Sequence, residues 1–294
     1  MKSTIVVGYD RTPSSERALA EAGREAARRD AVVTVVHAFH WIPVTTPMAY
    51  VPMTVEVGLR RGAEELAETG VRSLRARYPG LTVTSKVVAG PVADALADAG
   101  READLLLLGN RGRGGFADLL LGSASMRTLS YACGPTMIVR GPERDPADEI
   151  VLALDIEDPA PEVLDFAFTE ASCRRARLRV INAWDLDWTA TMDPDAVGDL
   201  DAAKAQAVAD LRTGLEKLLN PWLAKHPDVR LDVEVADGTP SAALVAATEH
   251  ADLIVVGAHR RTDGHPGMRL GPVTHALLHH AQCPVVVVPR GMAY

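Results

Sequence analysis

The sequence predicts an α/β protein built from two tandem copies of one open, parallel-sheet domain with helices on both faces. Three observations carry this reading. Short apolar runs alternate with stretches of helical periodicity, as expected of β-α units around a parallel sheet. The apolar runs are nearly continuous rather than alternating, which suits strands covered on both faces. The whole pattern also repeats once. TIVVGYD at 4–10 recurs as EIVLALD at 149–155, which sets Asp10 against Asp155.

Further landmarks follow in register. HAF at 37–39 pairs with NAW at 182–184, GPVADAL at 90–96 with GTPSAAL at 238–244, and ADLLLLG at 103–109 with ADLIVVG at 251–257. PTMIV at 135–139 pairs with PVVVV at 284–288, and the offset drifts only from 145 to 149 residues. The halves are therefore homologous units, assigned as domains 1–141 and 148–294. GPERDPAD at 141–148, rich in turn formers and charge, joins them.

In the first half the strands are read at 4–9, 31–38, 81–88, 104–108 and 135–139. Leu59, Ala63, Leu66, Gly70 and Leu74 mark one helical stripe, and Val208, Leu211, Leu215, Leu218 and Trp222 mark its counterpart, with Trp222 read as core. The terminal strands PTMIV and PVVVV are sheet edges able to pair with each other, so a homodimer or an intramolecular pseudo-dimer is an open expectation.

Composition narrows the function. A chain of 294 residues with 47% hydrophobic and 24% charged residues is ordinary for soluble globular domains. No apolar stretch reaches the length needed to span a bilayer, and no secretory leader pattern opens the chain, so a cytoplasmic protein is expected. Cys133, Cys173 and Cys283 are widely spaced and read as reduced thiols in or near the core. A net charge of -8 argues against nucleic acid as a partner, and the run Arg174, Arg175, Arg177 and Arg179 reads as a solvated edge.

Open parallel sheets bind ligands beyond the carboxyl ends of their strands. Asp10, His37 with Ala38, and a glycine-rich loop occupy those ends. The loop reads GNRGRGGFADLLLGSAS over 109–125, so Gly109, Gly112 and the Gly122-Ser123 pair have the spacing G-x(2)-G-x(9)-G-[ST]. Gly109 and Gly112 can take positive φ and let amides approach an anion without a Cβ in the way. Gly122 and Ser123 precede a helical pattern at 124–132 and so stand at a helix N-terminus, a ready anion site. Arg111 and Arg113 can add charge-assisted contacts to phosphate oxygens. Within this loop GRGGFA at 112–117 also satisfies G-x-G-x-x-A, a weaker dinucleotide reading because the segment follows the fourth strand.

No G-x-x-x-x-G-K-[ST] occurs, so a Walker-type engine is not expected. HALLHH at 275–280 lacks the glutamate of H-E-x-x-H, and its histidines read as flanking a helix end. No catalytic residue and no metal site is assigned.

Together these motifs resemble the universal stress protein family in its tandem, ATP-binding form. The resemblance rests on VGYD at 7–10 followed by Ser14 and Ser15, the complete glycine pattern at 109–123, the trailing Ser125, and CPVVVV at 283–288. It implies an adenine nucleotide α-hydrolase-like fold, with a five-stranded parallel sheet in the order 3-2-1-4-5 in each half. It also implies binding of ATP, with Mg as an optional companion ion. By that resemblance Gly8 and Asp10 line the adenine-ribose side and the Ala38 backbone meets the base. Gly109, Gly112, Gly122, Ser123 and Ser125 then hold the phosphates. Asp10 also fits a helix cap, and both roles can coexist.

The second half departs from the pattern. Its loop reads GAHRRTDGHPGMRLGPVT over 257–274, with Gly257 kept, Arg260 in place of Gly112 and Pro272 in place of Ser123. Proline removes a hydroxyl and a backbone donor while remaining comfortable in a first helical turn. Arg260 could instead reach a phosphate. Asp155, Ala183 and Gly257 keep an adenine side, so weaker or no ATP binding is expected there. The leading expectation is a regulatory ATP-binding stress protein with slow or absent turnover, acting on an unknown regulatory protein partner or on self-association. A structural or interaction protein without a working nucleotide site is the alternative, and a slow ATP-hydrolysing or nucleotide-transfer enzyme is a third.

Overall fold

The computed structural model describes residues 2–39, 53–112, 121–184, 200–261 and 266–291. Two compact units divide the chain. Unit 1 comprises 1–141 with 258–270 and 284–294, and unit 2 comprises 142–257 with 271–283. The fifth strand of the second repeat and the loop after its fourth strand therefore group with the first repeat.

In unit 1, β1 (Thr4–Gly8), β2 (Val32–Phe39), β3 (Val83–Ala89), β4 (Leu105–Gly109) and β5 (Thr136–Val139) form a parallel sheet in the order β3-β2-β1-β4-β5. The order matches the 3-2-1-4-5 expected of the first half. β11 (Val285–Arg290) then adds antiparallel to β5, with Val286 opposite Met137. Ile5, Val7, Leu105 and Leu107 are fully buried, and each such side chain contributes roughly 1.5–3 kcal/mol relative to exposure.

The helices of unit 1 are α1 (Pro13–Arg29), α2 (Met53–Arg77), α3 (Val92–Ala99) and α4 (Ser123–Tyr131). α1 starts where it does because Thr12 holds extended backbone angles and its hydroxyl accepts from Ser15 N–H at 3.2 Å, with Pro13 next. It stops at Asp30, which adopts the left-handed conformation at φ 49°. Ala18, Leu19, Ala22 and Ala26 form its buried stripe, small enough for close approach to the sheet. On α2 the stripe Ala63, Gly70 and Leu74 is buried as read, whereas Leu59 is 49% exposed. The helical period at that point lies beyond the edge of the core.

Unit 2 carries β6 (Glu149–Ala153), β7 (Arg177–Trp184), β8 (Leu231–Asp237) and β9 (Leu253–Arg260), parallel in the order β9-β6-β7-β8. Its helices are α5 (Pro161–Arg174), α6 (Leu200–Lys225), α7 (Pro240–Ala247) and α8 (Pro272–His280). It thus holds four parallel strands, not five, because β11 groups with unit 1. The joining segment is fixed to unit 2 by Arg144. Its guanidinium donates to the carbonyls of Thr248 at 2.9 Å, Gln282 at 2.6 Å and Glu249. These carbonyls end two helices, where a cation meets the negative end of the dipole.

Two expectations for this half change. The arginine run is a solvated edge only in part: Arg175 and Arg177 are exposed, but Arg174, its side chain 8% exposed, holds the buried Glu170 at 2.5 Å, and Arg177 and Arg179 clasp Glu149. The first repeat has the same buried i,i+4 pair in Glu25 and Arg29. Leu215 and Leu219 carry the α6 core, while Trp222 lies at the rim and donates its indole N–H to Asp165 at 2.7 Å. Its polar edge finds a partner at the surface. Of the cysteines only Cys283 is buried, and Cys133 and Cys173 are partly exposed free thiols.

Candidate functional site

In unit 1 the carboxyl ends of β1, β2 and β4 and the N-termini of α1 and α4 meet. β1 ends at Gly8, where an added Cβ would lie 2.9 Å from Leu108 and 3.2 Å from Leu96. Its lack of a side chain is accounted for by packing beneath the strand ends. Tyr9 follows, 3% exposed, and its hydroxyl donates to Glu16. Burial, reinforced by that carboxylate, raises the phenol's pKa well above its ordinary value.

Asp10 is half-buried, and its Oδ1 accepts from Thr12 N–H at 3.1 Å and Thr12 Oγ1 at 2.6 Å. Arg11 between them takes φ 63°, and this turn lifts the chain from strand to helix. The helix cap itself is Thr12, so Asp10 braces the cap instead of being it. At the end of β2, Ala38 is half-buried.

The glycine loop is locked to α1 by contacts that motif reading alone does not supply. Ser14 Oγ donates to Asn110 Oδ1 at 2.7 Å and accepts from Arg111 N–H at 3.1 Å. Arg17 reaches the Gly141 carbonyl at 2.8 Å and Asn110 Oδ1 at 3.4 Å. Gly122 N–H closes the loop on the Asn110 carbonyl at 2.7 Å, and the Ser125 hydroxyl donates to the Gly109 carbonyl, also at 2.7 Å.

The glycines act by close approach, not by left-handed backbone. Gly109, Gly112 and Gly122 do not take positive φ, so of the two uses open to the first two it is close approach that the structure shows. A Cβ on Gly109 would stand 2.5 Å from Ser14 Oγ and 2.8 Å from the Ser14 carbonyl. One on Gly112 would stand 3.3 Å from Asp10 Oδ2. Glycine at these points lets the loop lie directly against the start of α1.

Of the two helix N-termini that meet here, that of α4 has no side-chain cap. Gly122 is the N-cap of α4 and provides no side-chain cap, so the amides of Ser123, Ala124 and Ser125 open the helix without one. The N-terminus of α1, by contrast, is closed by Thr12. Ser123 and Arg111 are exposed, Gly112 is half-buried, and Ser125 is 8% exposed. Arg113 and most of GRGGFA lie outside the described residues.

The second repeat does not rebuild this site. Asp155 keeps a turn of the same kind, accepting from Glu157 N–H at 3.0 Å, and Ala183 is half-buried at the end of β7. At the positions of Ser14 and Asn110, however, stand Pro159 and Ala258, so the lock is lost. β9 continues past Gly257 to Arg260 and turns back antiparallel into β10 (Met268–Arg269). Arg260 is committed elsewhere: its guanidinium donates to the carbonyls of Cys133 at 2.9 Å and Gly291 at 3.2 Å, all within unit 1. Reaching a phosphate would require it to give up these partners. Gly271 caps α8 without a side-chain bond, and Pro272 removes the first amide.

The histidines of α8 stack, with 6.5 Å between the centroids of His275 and His279. No group of three or more metal-ligating side chains occurs among the described residues, and no described helix is long and apolar enough to cross a membrane.

Comparison with known proteins places these observations. The chain is 34% identical over 298 residues to a universal stress protein of Mycolicibacterium smegmatis, with 97% of each chain covered. It is 31% identical over 294 residues to a universal stress protein of Mycobacterium tuberculosis, with 96% of each covered. Among solved structures, a universal stress protein from Archaeoglobus fulgidus shares the fold with a TM-score of 0.70 at 19% identity, spanning 99% of this chain and 100% of that one. The sequence profile of the universal stress protein family matches residues 1–140 and again 147–289. The chain therefore belongs to the universal stress protein family, as a tandem of two of its domains.

Proposed function

We propose that this protein is a cytosolic ATP-binding regulator in which occupancy of the first repeat biases a protein partner or self-association, with little or no turnover. On this reading domain 1–141 carries the working site and domain 148–294 a degenerate one. The observation that supports it most is the uncapped N-terminus of α4 beside the locked loop. Three consecutive amides, the Ser123 hydroxyl and the Arg111 side chain would receive phosphate oxygens, and Gly112 leaves room next to them. Gly8, Asp10 and Ala38 would line the nucleoside side, and Gly109, Gly122 and Ser125 would hold the loop in shape. ATP would supply the anionic phosphates, with Mg as their counter-ion, and the chain's residues would orient and partly desolvate them. In the second repeat Asp155, Ala183 and Gly257 persist without a comparable phosphate end.

Denaturing the purified protein and identifying the released small molecules by mass spectrometry tests this, together with calorimetric titration of ATP. An adenine nucleotide in the released fraction, or saturable ATP binding, is expected. Neither being found would sink the proposal.

One observation favours an interaction protein without nucleotide. Packing alone explains Gly8, against Leu108, and Gly109, against Ser14. The same titration separates the two readings.

A further inference from the structure

Each repeat has one buried polar side chain on its second strand whose donor nitrogen points back to the first strand. His37 Nδ1 lies 2.7 Å from the Tyr9 carbonyl, and Asn182 Nδ2 donates to the Leu154 carbonyl at 3.0 Å. His37 is 8% exposed and Asn182 5%. The positions correspond, as do the carbonyls they serve: Tyr9 precedes Asp10, and Leu154 precedes Asp155.

The backbone around them corresponds as well. The Tyr9 N–H donates to the Val36 carbonyl at 2.9 Å and the Leu154 N–H to the Ile181 carbonyl at 3.1 Å. Beyond that rung the first chain leaves the sheet, through Arg11 at φ 63° in the first repeat, toward the helix cap. The departing carbonyl is buried among side chains and needs a donor, since an unsatisfied buried carbonyl costs about as much as a lost hydrogen bond. An imidazole and a carboxamide share little else in shape or titration. What they share at this position is a nitrogen donor. A carbonyl can only accept, so Nδ1 of His37 carries the proton in this bond.

We infer that His37 is a positioning residue for the nucleotide site: its Nδ1–H clips the Tyr9 carbonyl and thereby fixes the turn that presents Asp10, the duty Asn182 performs for Asp155. This rests on the nucleotide reading of the first repeat. It concerns a residue that would act through Asp10 and not by touching phosphate. The choice of residue follows from geometry: a leucine would fill the volume without a donor, and an aspartate would set a charge against the carbonyl oxygen.

The test pairs His37→Leu with His37→Asn, the latter importing the second repeat's solution. ATP affinity is measured by calorimetry, and hydrogen exchange at residues 10–12 is followed in the same proteins. His37→Leu is expected to weaken ATP binding about tenfold, the affinity equivalent of one lost buried hydrogen bond, and to speed exchange at the turn. His37→Asn is expected to restore both to within about threefold of the parent, since one donor replaces another.

Parent-like affinity and exchange in His37→Leu would overturn the inference while leaving nucleotide binding intact. So would an asparagine variant as impaired as the leucine one, because a donor would then not suffice. Should the parent protein bind no ATP, the functional reading falls and exchange at 10–12 decides the clip alone: rescue by asparagine supports it, and no rescue overturns it. Should His37→Leu fail to fold, Asn182→Leu and Asn182→His are compared by exchange at residues 155–157. Faster exchange in the leucine variant only is expected, and equal exchange in both overturns the clip.

Discussion

The loops that follow the fourth strand of each repeat start from one pattern and end as different structures. In the first, Ser14, Asn110 and Gly122 tie the loop to α1 and α4, and the first amide of α4 is kept where Pro272 removes that of α8. In the second, proline and alanine stand where the lock should be, the strand runs on, and the chain turns back as the β9–β10 hairpin. The second loop instead packs as part of unit 1, with Arg260 bonded to the Cys133 and Gly291 carbonyls. The difference teaches that glycine content alone does not define the loop's conformation. The side chains that receive those glycines do.

The largest expected effect breaks the hairpin. Gly267 has φ 129°, and a Cβ there would overlap the Ser130 carbonyl oxygen, so Gly267→Ala combines strain with a backbone clash. It is expected to cost about 3 kcal/mol in chemical denaturation. Next, Gly109→Ala drives a methyl against the Ser14 backbone. It should cost about 2 kcal/mol of stability and at least about tenfold in ATP affinity, read by calorimetry.

Arg260→Gly sharpens the contrast, because it removes donors from the Cys133 and Gly291 carbonyls without touching the first loop. A loss of about 1–2 kcal/mol in the melt with unchanged ATP binding is expected. The smallest effect is at Tyr9, whose pKa is raised from 10.0 by burial and by Glu16. Above pH 10 the unfolded chain releases this proton first, so it binds fewer protons than the folded chain and stability falls as pH rises. Tyr9→Phe is therefore expected to show a shallower alkaline loss in melts run on either side of pH 10, and an identical slope would contradict the assignment.

The strands were legible because buried parallel strands write themselves as continuous apolar runs, and LLLL at 105–108 leaves little choice. The start of α4 was legible from Gly122 and Ser123. The lock was not, since Ser14 and Asn110 are 96 positions apart and neither residue type signals a partner at that distance. One signal was present in the repeat itself: Ser14 and Asn110 disappear together in the second half. Which use Gly109 and Gly112 serve was not legible for a related reason, as glycine can serve either an unusual backbone angle or a close approach, and only the neighbour decides. Trp222 and the arginine run misled because periodicity and charge do not say whether an indole N–H or a guanidinium finds a buried or a surface partner.

The central proposal is asymmetry: one repeat would hold phosphates and the other would not. Calorimetric stoichiometry of ATP measures this most directly, in the parent chain and in the Gly109→Ala/Gly122→Ala variant. One ATP per chain in the parent and none in the double variant is the predicted result. Two ATP per chain, or one ATP retained when both glycines are replaced, would contradict it.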